Sequence, residues 1–165
     1  MFPPMDVMDS GRMTIAQDPT GAMFGVWQPK NHIGAQLVNQ PGTLCWNELQ
    51  TPDTESALNF YSQVFGWTGD KDATGYVTLS TGERRQAGMM TMDESWEGVP
   101  PNWTVYFRVE DVEASAARAE ELGGKLLMPI TDAGDLGRFT IVQDPQGAMF
   151  SIIQFSVPAD PPPGY

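Results

Sequence analysis

An eighteen-residue stretch occurs twice in this chain. Residues 11–28 read GRMTIAQDPTGAMFGVWQ and residues 137–154 read GRFTIVQDPQGAMFSIIQ, with 12 of 18 positions identical at a fixed offset of 126. The match extends upstream, where Pro3, Asp6 and Asp9 correspond to Pro129, Asp132 and Asp135. A period of that length marks a duplicated domain rather than a solenoid unit. About 90 residues of strand and helix pattern precede the second copy and none precede the first. Residues 1–28 are therefore expected to be the C-terminal hairpin of a preceding, otherwise missing domain. Residues 29–42 read as a linker, 43–155 as a complete domain and 156–165 as a Pro-rich, extended tail.

Each copy has the chemistry of a β-hairpin. Residues 138–142 and 148–153 are rich in β-branched and aromatic side chains. Between them, Asp144-Pro145-Gln146-Gly147 supplies a turn-opening Asp, a Pro with preset φ and a Gly where φ turns positive. Asp18-Pro19-Thr20-Gly21 repeats the device. Two such strands cannot bury an apolar face alone. The first hairpin must dock on the complete domain or on a second chain, and a homodimer, with strands exchanged between copies, is expected.

A second periodicity divides residues 43–155 into 43–98 and 101–155. Strand Thr43–Gln50 is followed by a cap at Asp53, a helix to Gly66, and strands at Tyr76–Ser80 and Ala87–Met92. After Pro100-Pro101 the order restarts: strand Trp103–Val109, cap Asp111, helix Val112–Leu122, then strands near Lys125–Met128, 138–142 and 148–155. At an offset of 58, Asp53 falls on Asp111, Glu55 on Glu113 and Gly66 on Gly124. The unit is β-α-β-β-β, used twice.

Charge and cysteine content limit the partners. Twenty-one acidic against 9 basic side chains give a formal net charge of −12, which disfavours nucleic acid and anionic membranes. One cysteine excludes an internal disulfide, and with no signal-peptide pattern the chain reads as cytoplasmic. A single His excludes centres built from several imidazoles.

The paired βαβββ units, the run Trp46–Gly66 ending in FYSQVFGW and the DPxGAMF hairpin resemble the vicinal oxygen chelate superfamily, which includes glyoxalases, extradiol dioxygenases and bleomycin-resistance proteins. The linker KNHIGAQLVNQPGTLCWNEL between two DPxGA segments looks like that of actinobacterial tandem glyoxalase-like proteins. The resemblance implies an α+β fold, with the two units forming a mixed sheet curled around a cleft. It also implies four metal-ligand positions. Carried over by counting, these are Trp46, Thr104, Ser151 and Met90, with Gly25 at the position of Ser151 in the first copy. Indole, thioether and two hydroxyls make a poor site for a divalent ion, so no metal and no cofactor are expected.

Strand alternation sets Trp46, Glu48 and Gln50 on one face, and Thr104, Tyr106 and Arg108 on the matching face of the partner strand. With Met90, Met149, Ser151 and Ile153 they would line an apolar pocket for a small organic ligand, for which the acidic balance favours a cation. An alternative is that the same side chains fill a closed interior, Glu48 pairing with Arg108. Cys45 falls on the helix-covered face and reads as an inert thiol, and His32 as a linker residue. The leading expectation is a metal-free binding protein without turnover. The alternative is a glyoxalase- or dioxygenase-like enzyme, either metal-independent through Glu48 and Tyr106 or metal-dependent.

Overall fold

The computed structural model describes residues 2–156. The expected Pro-rich tail lies, from residue 157 on, outside the described residues. In chain order the elements are β1 (Phe2–Val7), β2 (Gly11–Gln17), β3 (Met23–Pro29), β4 (Leu44–Thr51), α1 (Thr54–Phe65), β5 (Thr68–Lys71), β6 (Val77–Thr81) and β7 (Arg84–Thr91). They continue with β8 (Asn102–Arg108), α2 (Val112–Glu121), β9 (Lys125–Leu126), β10 (Thr131–Asp132), β11 (Gly137–Gln143) and β12 (Met149–Phe155). Both helices begin where a carboxylate can cap them. Asp53 accepts from the Ser56 N–H at 2.9 Å and Asp111 from the Ala114 N–H at 2.8 Å. α1 ends at Gly66, which takes the left-handed conformation at φ 71°.

Among the described residues the chain divides into two compact units: those up to 36 with 48–103, and 37–47 with those from 104 on. In the first unit, β1, β2 and β3 form a three-stranded antiparallel sheet. β4 runs parallel to β7, with β6 and β5 following antiparallel. The core of this unit combines Leu49, Ala57, Tyr61, Val77, Leu79, Ala87 and Met89 with Ala22 from the first hairpin. In the second unit β8 runs parallel to β12, which pairs with β11, and β11 with β9 and β10. Val112 and Ala116 of α2 pack there on Val142 and Ile152. The second unit also holds residues 44–47 of β4, where the Arg108 N–H donates to the Thr43 carbonyl at 2.9 Å.

The pairing corrects the expectation of a sheet curled around a cleft. The strand order is β10-β11-β12-β8-β4-β7-β6-β5, with β9 added on β11. This is an open ladder: among the described residues its ends, β10 and β5, are not paired with each other. Its ends show why: β5, with the sequence TGDK, is exposed along its whole length, and β10 is two residues long. Short, polar edge strands stop a ladder rather than close it. The α+β class and the paired βαβββ order stand; the curl does not.

Candidate functional site

β4 and β7 lie side by side with Glu48 opposite Gly88 and Gln50 opposite Met90. Alternation turns these four residues to one face, away from Leu49 and Met89 in the core beneath α1. Glu48 is 6% exposed and Gln50 3%. Onto this face the loop before β6 brings Tyr76, whose hydroxyl donates to Glu48 Oε2 at 3.0 Å. The approach is possible because residue 88 has no side chain: a Cβ there would coincide with the Tyr76 hydroxyl. An isolated glycine inside a strand is a recognisable mark of such a close approach, and Gly88 is the signal by which the pair was open to detection.

The second unit collects the other expected residues. Tyr106 of β8 stands beside Ser151 of β12, and Arg108 beside Ile153. The Tyr106 ring lies 6.0 Å from that of Phe139. Arg108 donates to the Asn39 carbonyl at 3.0 Å and its guanidinium sits 5.7 Å from the centre of the Phe155 ring. Thr104 and Ser151 are buried, Trp46 is half-buried and Met149 is exposed. The Cys45 thiol donates to the Tyr106 carbonyl at 3.3 Å, and burial pushes its pKa up to about 12. A thiol so protonated is a poor nucleophile.

A second buried network went unread in the sequence. The Trp103 indole N–H donates to the Tyr61 oxygen at 2.8 Å, and the Tyr61 hydroxyl donates to Asp18 Oδ2 at 2.9 Å. Asp18 Oδ1 accepts from the Thr20 hydroxyl and from the amides of Thr20, Gly21 and Ala22. Burial raises the Tyr61 pKa well above the ordinary tyrosine value. Around this network Phe24, Phe60, Phe65 and Trp67 pack edge-on, tilted or stacked at 5.0–6.1 Å. The network anchors the first hairpin on α1. The first unit also carries a cleft of about 460 Å³, walled by Pro52 and the 92–101 loop, including Asp93, Trp96 and Glu97, rather than by the Glu48 face.

These features, two βαβββ units with a carboxylate–phenol pair on one sheet face, define a class. The chain belongs to the Glyoxalase/Bleomycin resistance protein/Dioxygenase superfamily, whose profile matches residues 33–152. It is 44% identical over 158 residues to "Putative glyoxylase CFP32" of Mycobacterium bovis and Mycobacterium tuberculosis, covering 93% of this chain and 60% of the relative. The chain thus spans 60% of those relatives' length. Among solved structures, it is similar to the 2,3-dioxygenase LapB from Pseudomonas sp. KL28, with TM-score 0.62, 14% identity, and coverage of 94% of this chain and 62% of that one. The Mn(II)-bound glyoxalase from Novosphingobium aromaticivorans superposes with TM-score 0.59 at 16% identity, over 94% of this chain and 55% of that one.

These comparisons correct the lean away from catalysis, because the relatives named for an activity carry the names of enzymes. The Novosphingobium aromaticivorans glyoxalase is Mn(II)-bound, so the donor set matters. The four counted positions are Trp46, Met90, Thr104 and Ser151. Among the described residues no three His, Cys, Asp or Glu side chains stand together. That set does not fit a divalent cation, which needs several oxygen or imidazole donors. Among the described residues no helix is long and apolar enough to cross a membrane.

Proposed function

We propose that this chain is a glyoxalase-like enzyme that moves a proton at a carbon beside a carbonyl, with Glu48 as general base and no metal in the step. The observation that supports the reading is the Tyr76–Glu48 pair. A carboxylate buried on a strand and oriented by a phenol is held in place for proton transfer. The proposed substrates are hemithioacetals that α-ketoaldehydes form with thiols. Glu48 takes the proton from the carbon bearing sulfur and hydroxyl and returns it to the neighbouring carbon, while the hydroxyl proton passes to the former carbonyl oxygen. The product is an α-hydroxy thioester, and the isomerisation needs no external oxidant.

The test is thioester formation by the full chain from methylglyoxal and glutathione, with a chelator present. The expected result is turnover that survives chelation and falls about 100-fold or more in Glu48→Gln. A rate no faster than the uncatalysed one, or one indifferent to Glu48→Gln, overturns the reading. Tyr106 is proposed as a second acid–base residue, read by Tyr106→Phe in the same assay. Trp46, Met90, Thr104, Arg108, Met149 and Ser151 are proposed as ligand contacts, read by the change in KM on replacement with Ala. A homodimer is the proposed assembly, and a monomeric mass by light scattering counts against it.

A further inference from the structure

The parallel ladder of β4 and β7 runs on past Glu48. Gln50 lies opposite Met90 and Thr51 opposite Thr91, and the Met92 N–H donates to the Thr51 carbonyl at 2.9 Å. Alternation therefore continues the row Glu48, Gln50 with Pro52, and the row Gly88, Met90 with Met92. Pro52 and Met92 form one wall of the cleft of about 460 Å³, a volume in the range of small-molecule sites. The cleft is built from residues 52–101 of the first unit alone.

The opposite wall is held by its own hydrogen bonds. The Val99 N–H donates to the Trp96 carbonyl at 2.9 Å, and the Asn102 side-chain amide donates to the Pro100 carbonyl at 3.0 Å. Trp96, Met92 and Val99 supply apolar surface, and Asp93, Glu94 and Glu97 supply negative charge. The Ser95 hydroxyl donates to Asp93 at 2.5 Å and holds its carboxyl below the usual carboxylate value. No Lys or Arg lines the cleft, and among the described residues no ion pair takes up these three carboxylates. They do not converge either, since among the described residues no three such groups are placed to hold a metal ion. A negative field without chelation suits a diffuse organic cation better than a metal. Gln50, one step inward on the same face, is 3% exposed, and among the described residues its side-chain amide has no hydrogen-bond partner. A buried amide has two donors and an acceptor oxygen to satisfy, so it marks a place for a polar group.

We propose that this cleft binds an organic cation, with an ammonium group against Trp96 among Asp93, Glu94 and Glu97, on an apolar stem whose amide or carbonyl group reaches Gln50. The indole face attracts a cation through its quadrupole, and the carboxylates add to that field. Gln50 and Pro52 are two strand residues apart, about 7 Å, which a stem of about four carbons spans. The proposal concerns binding alone and does not rest on the catalytic reading.

The probe is a trimethylammonium ion joined through a four-carbon stem to an acetamide, titrated into the full chain by isothermal calorimetry. The expected result is saturable one-to-one binding. The uncharged isostere, with a tert-butyl group in place of trimethylammonium, should bind about tenfold more weakly or worse. Trp96→Ala should lose about tenfold, and so should Glu94→Gln combined with Glu97→Gln. Asp70→Asn combined with Glu83→Gln, which removes the same charge from β5 and the β6–β7 turn, should leave affinity unchanged. Gln50→Leu, with native circular dichroism, should bring the probe down to the affinity of hexyltrimethylammonium, whose own binding it leaves alone. The proposal is overturned by no saturation up to about 1 mM. Equal affinity for the isostere overturns it too, as do equal losses in the two double variants, which would be an effect of bulk charge. A Gln50→Leu variant that binds the acetamide probe at full strength removes Gln50 from the site and overturns the proposal as stated.

Discussion

The Tyr61 hydroxyl donates to the Asp18 carboxylate at 2.9 Å across 43 positions of sequence. One partner comes from the repeated DPxG turn and the other from α1. The contact therefore converts a hairpin that is marginal in isolation into part of a core. Removing the phenol hydroxyl by Tyr61→Phe should cost about 1–2 kcal/mol, and Asp18→Ala about 3 kcal/mol, because Asp18 also holds the amides of its own turn. Urea unfolding of the two variants checks the order. The pH dependence has a defined sign. Burial raises the Tyr61 pKa, so the folded state keeps a proton that the unfolded chain releases above about pH 10. Stability should be intact below that pH and fall as pH rises beyond it, and Tyr61→Phe should flatten the decline.

Gly88 makes a prediction that separates space from hydrogen bonding. Gly88→Ala places a methyl where the Tyr76 hydroxyl sits and should destabilise by about 1–3 kcal/mol. Tyr76→Ala empties that space. The double variant should be more stable than the sum of the two losses implies, and a double-mutant cycle by urea unfolding reads the coupling.

Cys45 should behave as a protected thiol. Its pKa, pushed up to about 12 by burial, predicts slow reaction with Ellman's reagent at pH 8 in the native state and fast reaction in urea. The sign for stability follows: the contribution is whole below the ordinary thiol value of about 8.5 and is lost as pH climbs toward the folded value. Cys45→Ala should remove that part of the alkaline slope, which begins at lower pH than the part due to Tyr61.

Two glycines should fail for different reasons. Gly66 sits at φ 71° with open space around it, so Gly66→Ala should cost about 1 kcal/mol of backbone strain alone. At Gly11 a Cβ would run into the Trp27 ring, so Gly11→Ala should displace that ring and change its fluorescence. Gly66→Ala should leave Trp27 emission unchanged.

The helices were legible because their signals are local. Asp53 and Asp111 mark the starts, Gly66 marks one end, and the observed α1 and α2 fall within a residue of the reading. β5 was missed because TGDK carries no apolar residue, and β1 because FPPMDV holds two prolines, tolerated only because the strand is an exposed edge. The curl failed for a different reason: it came from the architecture of the resembled family and from no residue of this chain. At the site, the face carrying Glu48, Gln50 and Met90 follows from alternation. The Tyr76–Glu48 contact does not: the pattern opens a strand at Tyr76, β6 begins at Val77, and no local pattern brings that residue to Glu48 28 positions away.

By itself, then, the amino-acid order determined the duplication, the βαβββ units, their capped helices and the face on which Glu48 lies. These depend on neighbours a few residues apart, or on comparison of the chain with itself. Tertiary structure alone decided which phenol meets Glu48 and where the first hairpin docks. Each of those depends on atoms brought within hydrogen-bond range by the packing of distant segments, and such distances are not encoded in local pattern.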